Sequence, residues 1–111
     1  MGLGCEEVTR TSSPDTDVVA CRWNDGRIGS MRALRPQSPS YGAVVFRKGA
    51  KAQTAEVSTR RSGEAPLLRD VLRFFETRVP PVSNEETLEM FAFMDAAQRS
   101  KEAGGRPMRL R

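Results

Sequence analysis

Four residues carry side chains suited to a polar ligand: Trp23, Arg32, Arg35 and Tyr41. An indole beside a hairpin can stack on a sugar ring, and it can equally pack across strands. Arg32 and Arg35, spaced among small residues along a strand, can line a polar cleft or point into water. Tyr41, followed by Gly42, can offer its hydroxyl to a ligand or hold a wet strand end. These four form the candidate substrate-binding set. The chain has no histidine, so Ser-His-Asp and Cys-His catalysis are excluded. Cys5 and Cys21 are too far apart for a metal knuckle and read as ordinary buried thiols, with a disulfide or a reactive thiol as the alternatives. Asp15 and Asp17 read as solvated loop acids, because a hard cation wants more oxygen ligands at set spacing. Gly2 and Gly4 make a lone Gly-x-Gly, too little for a phosphate cradle. No catalytic, cofactor-binding or metal-ligating residue is assigned.

Hydrophobic residues make up 38% and charged residues 29% of the 111 positions. That balance is globular, and the length suits one domain with a modest core. The net charge of +4 raises nucleic-acid binding as a reading. The basic residues are interleaved with acids, and only Arg60-Arg61 and the Arg106, Arg109, Arg111 tail cluster. No aromatic residue alternates with them, so a nucleic-acid partner is not expected. No apolar run is long enough to span a bilayer, and Met1 to Glu7 has no signal-peptide pattern. The expected location is cytoplasmic.

The elements that must position these residues follow from periodicity. Glu6 to Thr11 is β-prone and ends at Ser12-Ser13-Pro14. Val18 to Trp23 alternates, with Val19, Cys21 and Trp23 on one face. Asn24-Asp25-Gly26 then predicts a hairpin, and Arg27 to Arg35 returns. A loop bracketed by Pro36 and Pro39 precedes a strand from Tyr41 to Arg47, a turn at Lys48-Gly49, and a partner strand from Ala50 to Thr59. Beyond Gly63 the period changes. Leu67, Leu68, Val71, Leu72 and Phe75 share one side of a helix that Pro66 opens and Val79-Pro80-Pro81 ends. Ser83-Asn84-Glu85-Glu86 is a capping box opening a second helix. Leu88, Met90, Phe91, Phe93, Met94, Ala96 and Ala97 give that helix a broad apolar surface, expected to be covered on more than one side. Phe74-Phe75 and Phe91-Phe93 are expected core. Gly104-Gly105 stops the helix, and Pro107 to Leu110 reads as a final strand. The fold class is α+β: a mostly antiparallel sheet, two C-terminal helices packed on one face, and a short final edge strand.

The helical third also carries a family pattern. Arg73-Phe74-Phe75 leads into Val79-Pro80-Pro81-Val82-Ser83, then Glu85-Glu86-Thr87, Phe91-Ala92-Phe93-Met94-Asp95-Ala96-Ala97, Ser100-Lys101 and Gly104-Gly105. This succession resembles the C-terminal region of the Gfo/Idh/MocA oxidoreductases, relatives of glucose–fructose oxidoreductase and inositol dehydrogenase. Trp23 to Gly29 and Tyr41 to Gly49 match more loosely, and the resemblance runs from about Leu3 to Leu110. It implies an enzyme in which a Rossmann domain binds NAD or NADP and a C-terminal α+β domain shapes the substrate site and builds oligomer contacts.

This sequence departs from the family at its front. It lacks the dinucleotide fingerprint, the Glu-Lys-Pro motif with its proton-transferring lysine, and the upstream Asp and His pair. No family catalytic residue transfers to any position here. The expectation is a single, incomplete C-terminal domain spanning residues 1–111. It would hold no cofactor itself, be inactive alone, act in sugar or polyol oxidation only with the missing Rossmann domain, and form a homo-oligomer through its exposed sheet face. The alternative is a stand-alone dimerising binding module without catalysis.

Overall fold

The computed structural model describes residues 2–35, 41–57 and 65–110. The elements run β1 (Cys5–Ser12), β2 (Thr16–Trp23), β3 (Ile28–Leu34), β4 (Tyr41–Val45), β5 (Gln53–Val57), α1 (Ala65–Thr77), α2 (Asn84–Glu102) and β6 (Met108–Arg109). The chain is α+β, as its periodicities predict. Its contacts divide it into two compact units, Met1–Gln37 with Val82–Arg111, and Ser38–Pro81. The Pro36–Ser40 loop, the Arg60-Arg61 pair, Gly63, Arg111 and the end of the strand expected to reach Thr59 lie outside the described residues.

The first unit holds a four-stranded antiparallel sheet in the order β3-β2-β1-β6. Short connections make this order, because strands joined by a few residues pair with their neighbours. Between β1 and β2, the Ser13 amide donates to the Thr16 carbonyl at 2.8 Å, and the Thr16 amide donates to Ser13 Oγ at 3.1 Å. The β2–β3 loop is one residue wider than the tightest hairpin: the Trp23 amide donates to the Arg27 carbonyl at 2.9 Å, leaving Asn24, Asp25 and Gly26 between them. Only Gly26 there takes a positive φ, +87°, which is the glycine position of a three-residue hairpin loop. The final strand is an edge strand. It pairs Glu7 with Arg109 and Val8 with Met108.

Strand alternation then sets the faces. Val8 lies opposite Cys21, Arg10 opposite Val19, and Val19 opposite Met31, so these residues share one face. The register of β1 shifts between Cys5 and Glu7, and Cys5 still faces Trp23. That bulge keeps Cys5 on the inner face, where strict alternation would have put Glu6.

Helix α2 covers the inner face. Val8, Val19, Ala96, Ala97 and Leu110 form the buried core, with Cys5, Cys21, Ala92, Phe93 and Met108 packed against it. Ala92, Phe93, Ala96, Ala97 and Ser100 fall on one helical stripe, and the alanines let the helix settle close on β1. Fully burying a valine such as Val8 stabilises the fold by about 1.5–3 kcal/mol. The helix starts as its capping sequence predicts: Ser83 Oγ accepts from the Glu86 amide at 3.1 Å. It ends where the Ala103 and Gly105 amides donate back to the Arg99 and Ser100 carbonyls at 3.0 and 2.8 Å.

Two expectations need correction. The broad apolar surface of α2 is covered on one side only, since Leu88 and Phe91 are each 63% exposed. The core expected from the phenylalanines reduces to Phe93; Phe74, Phe75 and Phe91 are exposed. The reason is width. A helix on a sheet buries one stripe, and alternate apolar residues such as Phe91 and Phe93 point away from each other.

The second unit contains a two-stranded antiparallel sheet of β4 and β5, with Tyr41 paired to Val57, and α1. Pro66 sits in the first turn of α1, as predicted. At the helix end, Arg78 takes the left-handed φ of 56° before the two prolines, and its amide donates to the Phe74 carbonyl at 2.7 Å. Every residue of β4 is exposed, and no residue of α1 is buried. Within the first unit, α2 packs on the four-stranded sheet.

Candidate functional site

A cavity of about 420 Å³ opens between the inner sheet face and the N-terminal half of α2. Its floor is Val19, Cys21 and Met31 from the sheet, and its helix wall is Met90, Phe93 and Met94. The N-terminal segment closes one end. The Trp23 indole Nε1 donates to the Gly2 carbonyl at 3.0 Å, and the Asn24 amide donates to the Gly4 carbonyl at 2.9 Å. This strap brings Leu3 to the rim. Gly4 is needed there: its φ is +99°, and a Cβ would approach Asn24 Oδ1 to 2.7 Å.

The polar groups of the cavity are few. Cys5 and Cys21 both line it. Burial pushes both thiols up, and for Cys5 the nearby Cys21 and Glu89 push further in the same direction. Neutral thiols are poor nucleophiles. Cys21 Sγ donates to the Gly29 carbonyl at 3.3 Å. Glu86 and Glu89 stand on the helix side, and Glu89 Oε1 accepts from the Cys5 amide at 3.0 Å. No arginine or lysine lines the cavity. Among the described residues, no group of three or more Cys, Asp or Glu could hold a metal ion, and no helix is long and apolar enough to cross a membrane.

At the other end of β2 sits a buried ionic cluster. Asp17 is 6% exposed. It accepts from Arg35 Nη1 at 2.5 Å, from Arg10 Nη2 at 3.1 Å and from the Ser12 hydroxyl. The Arg35 guanidinium, the Ser12 hydroxyl and Arg10 hold its carboxyl far below the usual aspartate range. Arg35 also donates to the Ser13 and Pro14 carbonyls at 2.5 and 3.1 Å, which locks the β1–β2 turn to the end of β3. The reading of Asp17 as a solvated loop acid is therefore corrected: it lies in β2, facing inward, with two guanidinium partners. Ser100, fully buried, accepts from the Arg10 amide at 2.9 Å and donates to the Arg106 carbonyl at 2.7 Å. It joins β1, α2 and the segment leading to β6. Arg10 Nε is buried with no partner.

The three candidate ligand residues of the first unit, Trp23, Arg32 and Arg35, do not converge. Trp23 lines the cavity, 7% exposed, with the Arg27 guanidinium 5.6 Å from its ring centroid. Arg35 belongs to the Asp17 cluster, and its strand end pairs with Thr16, remote from Trp23 along β2. Arg32 lies opposite Val18 on the outer face of the sheet. Tyr41, 65% exposed, belongs to the second unit. Sequence reasoning missed the cavity because its lining comes from four segments. It missed Asp17 because Ser13-Pro14-Asp15 beside it reads as a loop. The spacing of Asp17 by two from Val19 was the available signal, since it puts the carboxylate on the buried face.

Comparison with protein-family models, curated proteins and solved structures gave no match. The residues of the first unit define a class by themselves: an antiparallel sheet with one face under a helix and exposed apolar residues on the other.

Proposed function

We propose that this chain is the substrate-side and assembly segment of a Gfo/Idh/MocA-like oxidoreductase acting on sugars or polyols, inert by itself, and that it associates with a second copy through the outer face of the four-stranded sheet. One observation carries the association. Val18, Ile28 and Leu34 share that outer face at 42%, 76% and 47% exposure, opposite the face on which α2 packs. Apolar residues grouped on an open antiparallel sheet favour contact with another surface. The same face carries charges of both signs: Arg22 lies 3.8 Å from Glu7 on the neighbouring strand, and Arg109 is paired with Glu7 on its other side. Mixed charge suits pairing with a copy of itself.

Support for the family comes from the residue succession between Arg73 and Gly105. The parent family uses NAD or NADP, and the described residues do not suit that group. The cavity presents two carboxylates and no cation, which opposes a pyrophosphate. On this reading the cofactor is held by a Rossmann domain outside these residues, and no step of hydride or proton transfer falls to a residue here. Trp23 is the one candidate substrate contact that also lines the cavity. This reading puts the chain in the cytoplasm with no nucleic-acid partner.

Sedimentation of the full chain tests the association. A concentration-dependent dimer is expected, and Val18→Glu with Ile28→Glu should return it to a monomer. A wild-type monomer at high concentration overturns the reading. Calorimetry with NADH and NADPH should register no binding, and micromolar affinity would remove the non-catalytic assignment. The bare face equally favours a self-sufficient dimerising module. A Gly-x-Gly-x-x-Gly strand–helix unit encoded upstream of Met1 decides for the oxidoreductase.

A further inference from the structure

Apart from the Trp23 contact, the cavity under α2 has a chemistry that the proposed function does not use. Its walls are thioether, aromatic and aliphatic groups, with Met31, Met90 and Met94 exposed at 56%, 58% and 52%. Methionines of this kind adapt to guests of different shape. Its volume of about 420 Å³ falls in the range of small-molecule sites, roughly 300–1,000 Å³. The charge at its rim is of one sign. The chain as a whole carries +4, yet among the described residues the only acidic or basic side chains lining the cavity are Glu86 and Glu89. Glu89 is held in place by the Cys5 amide at 3.0 Å. The two thiols deeper in stay neutral, because burial pushes both up, and they add no charge of their own.

We propose that this cavity binds a small apolar amine: an alkyl or aryl group between Met31 and Phe93, and an ammonium at Glu86 and Glu89. An apolar tail leaves water for the thioether and aromatic walls. A cationic head donates to these carboxylates, which meet no basic side chain within this cavity, although Glu89 also borders a second cavity lined by Arg22 and Arg109. An anion of the same tail meets repulsion at that rim, and an alcohol loses the charge-assisted bonds. The site thus selects by head-group charge more than by tail shape, since flexible methionines discriminate weakly among tails.

Trp23 is the only tryptophan in the chain and lines the cavity, so its fluorescence reports binding directly. The full chain is titrated with octylamine, octanol and octanoate, which share one tail and differ in head charge. Octylamine is expected to saturate the signal at a concentration roughly ten-fold below octanol, with octanoate weakest. Glu86→Gln with Glu89→Gln keeps an acceptor for the Cys5 amide and should bring octylamine to the level of octanol. Three equal affinities, tighter octanoate, or no saturable change with octylamine would each overturn the proposal. If the double variant loses its fold by circular dichroism, the three-probe comparison on the wild type decides alone.

Discussion

The two helices of this protein invert the usual link between amphipathicity and burial. Helix α1 segregates its apolar residues sharply, with Leu67, Leu68, Val71, Leu72 and Phe75 along one side, yet none of its residues is buried. Helix α2 has a blurred pattern, and it buries Ala96, Ala97 and Ser100 against β1. The difference is what each helix presents for close approach. Small residues let α2 lie near the strand backbone, where one hydroxyl reaches both the Arg10 amide and the Arg106 carbonyl. An apolar stripe states a capacity for burial; a partner surface realises it.

The largest effect expected from this contrast is a charge in the α2–β1 core. Val8 is fully buried, and Val8→Asp leaves an unpaired carboxylate there. The loss should be about 4 kcal/mol or more, read as collapse of the urea midpoint by Trp23 fluorescence. A midpoint within error of wild type would mean that this core does not hold the sheet to the helix.

Acid sharpens the comparison next, because the only buried carboxylate of the described core region is Asp17. Its folded pKa lies below its unfolded value, so the folded state binds fewer protons. The stabilisation is complete above the ordinary aspartate range and is lost as pH falls through that range toward the folded value. Unfolding of the first unit should steepen below about pH 4, and Asp17→Asn should flatten that slope while weakening the fold at neutral pH. An unchanged acid slope in Asp17→Asn would show that another carboxylate governs it.

Ser100→Ala comes third. It leaves the partly buried Arg10 amide and Arg106 carbonyl without their shared partner, for a loss of about 1–3 kcal/mol. Ser83→Ala, which removes the N-cap of the same helix at an exposed site, should lose about 1 kcal/mol. Equal losses at the two serines would argue that the Ser100 bonds are replaced by water.

Much of this was legible from residue order. The β1–β2–β3 meander, the faces of β2 and β3, the Ser83 cap and the closing edge strand each follow from local signals: alternation, Asp25-Gly26, and a serine three residues before a glutamate. What was not legible depends on contacts distant in sequence. Ser100 gives no local sign that it meets Arg10, ninety residues away. The bulge that turns Cys5 inward lies at the end of the sheet where Trp23 pairs with Cys5 and bonds the Gly2–Gly4 strap. The cavity needs all of these at once, so no single segment announces it. Trp23, singled out as a ligand contact, lines the cavity. Arg35 was singled out for its charge, which the fold uses to hold Asp17.

The smallest effect belongs to α1, and it bears most directly on the contrast. Phe75 is 73% exposed, so Phe75→Ser removes little buried surface within the chain, and the loss should stay within about 0.5 kcal/mol. Trp23 lies in the other unit, so the measurement must follow helix content by circular dichroism rather than fluorescence. At low concentration the variant should melt with the wild type. A loss comparable to that of Ser100→Ala would show that the stripe of α1 is already in use, either by another part of the chain or by a second copy. Dilution separates those cases: an intramolecular partner gives the same loss at every concentration, and a second copy gives a loss that fades as the protein is diluted.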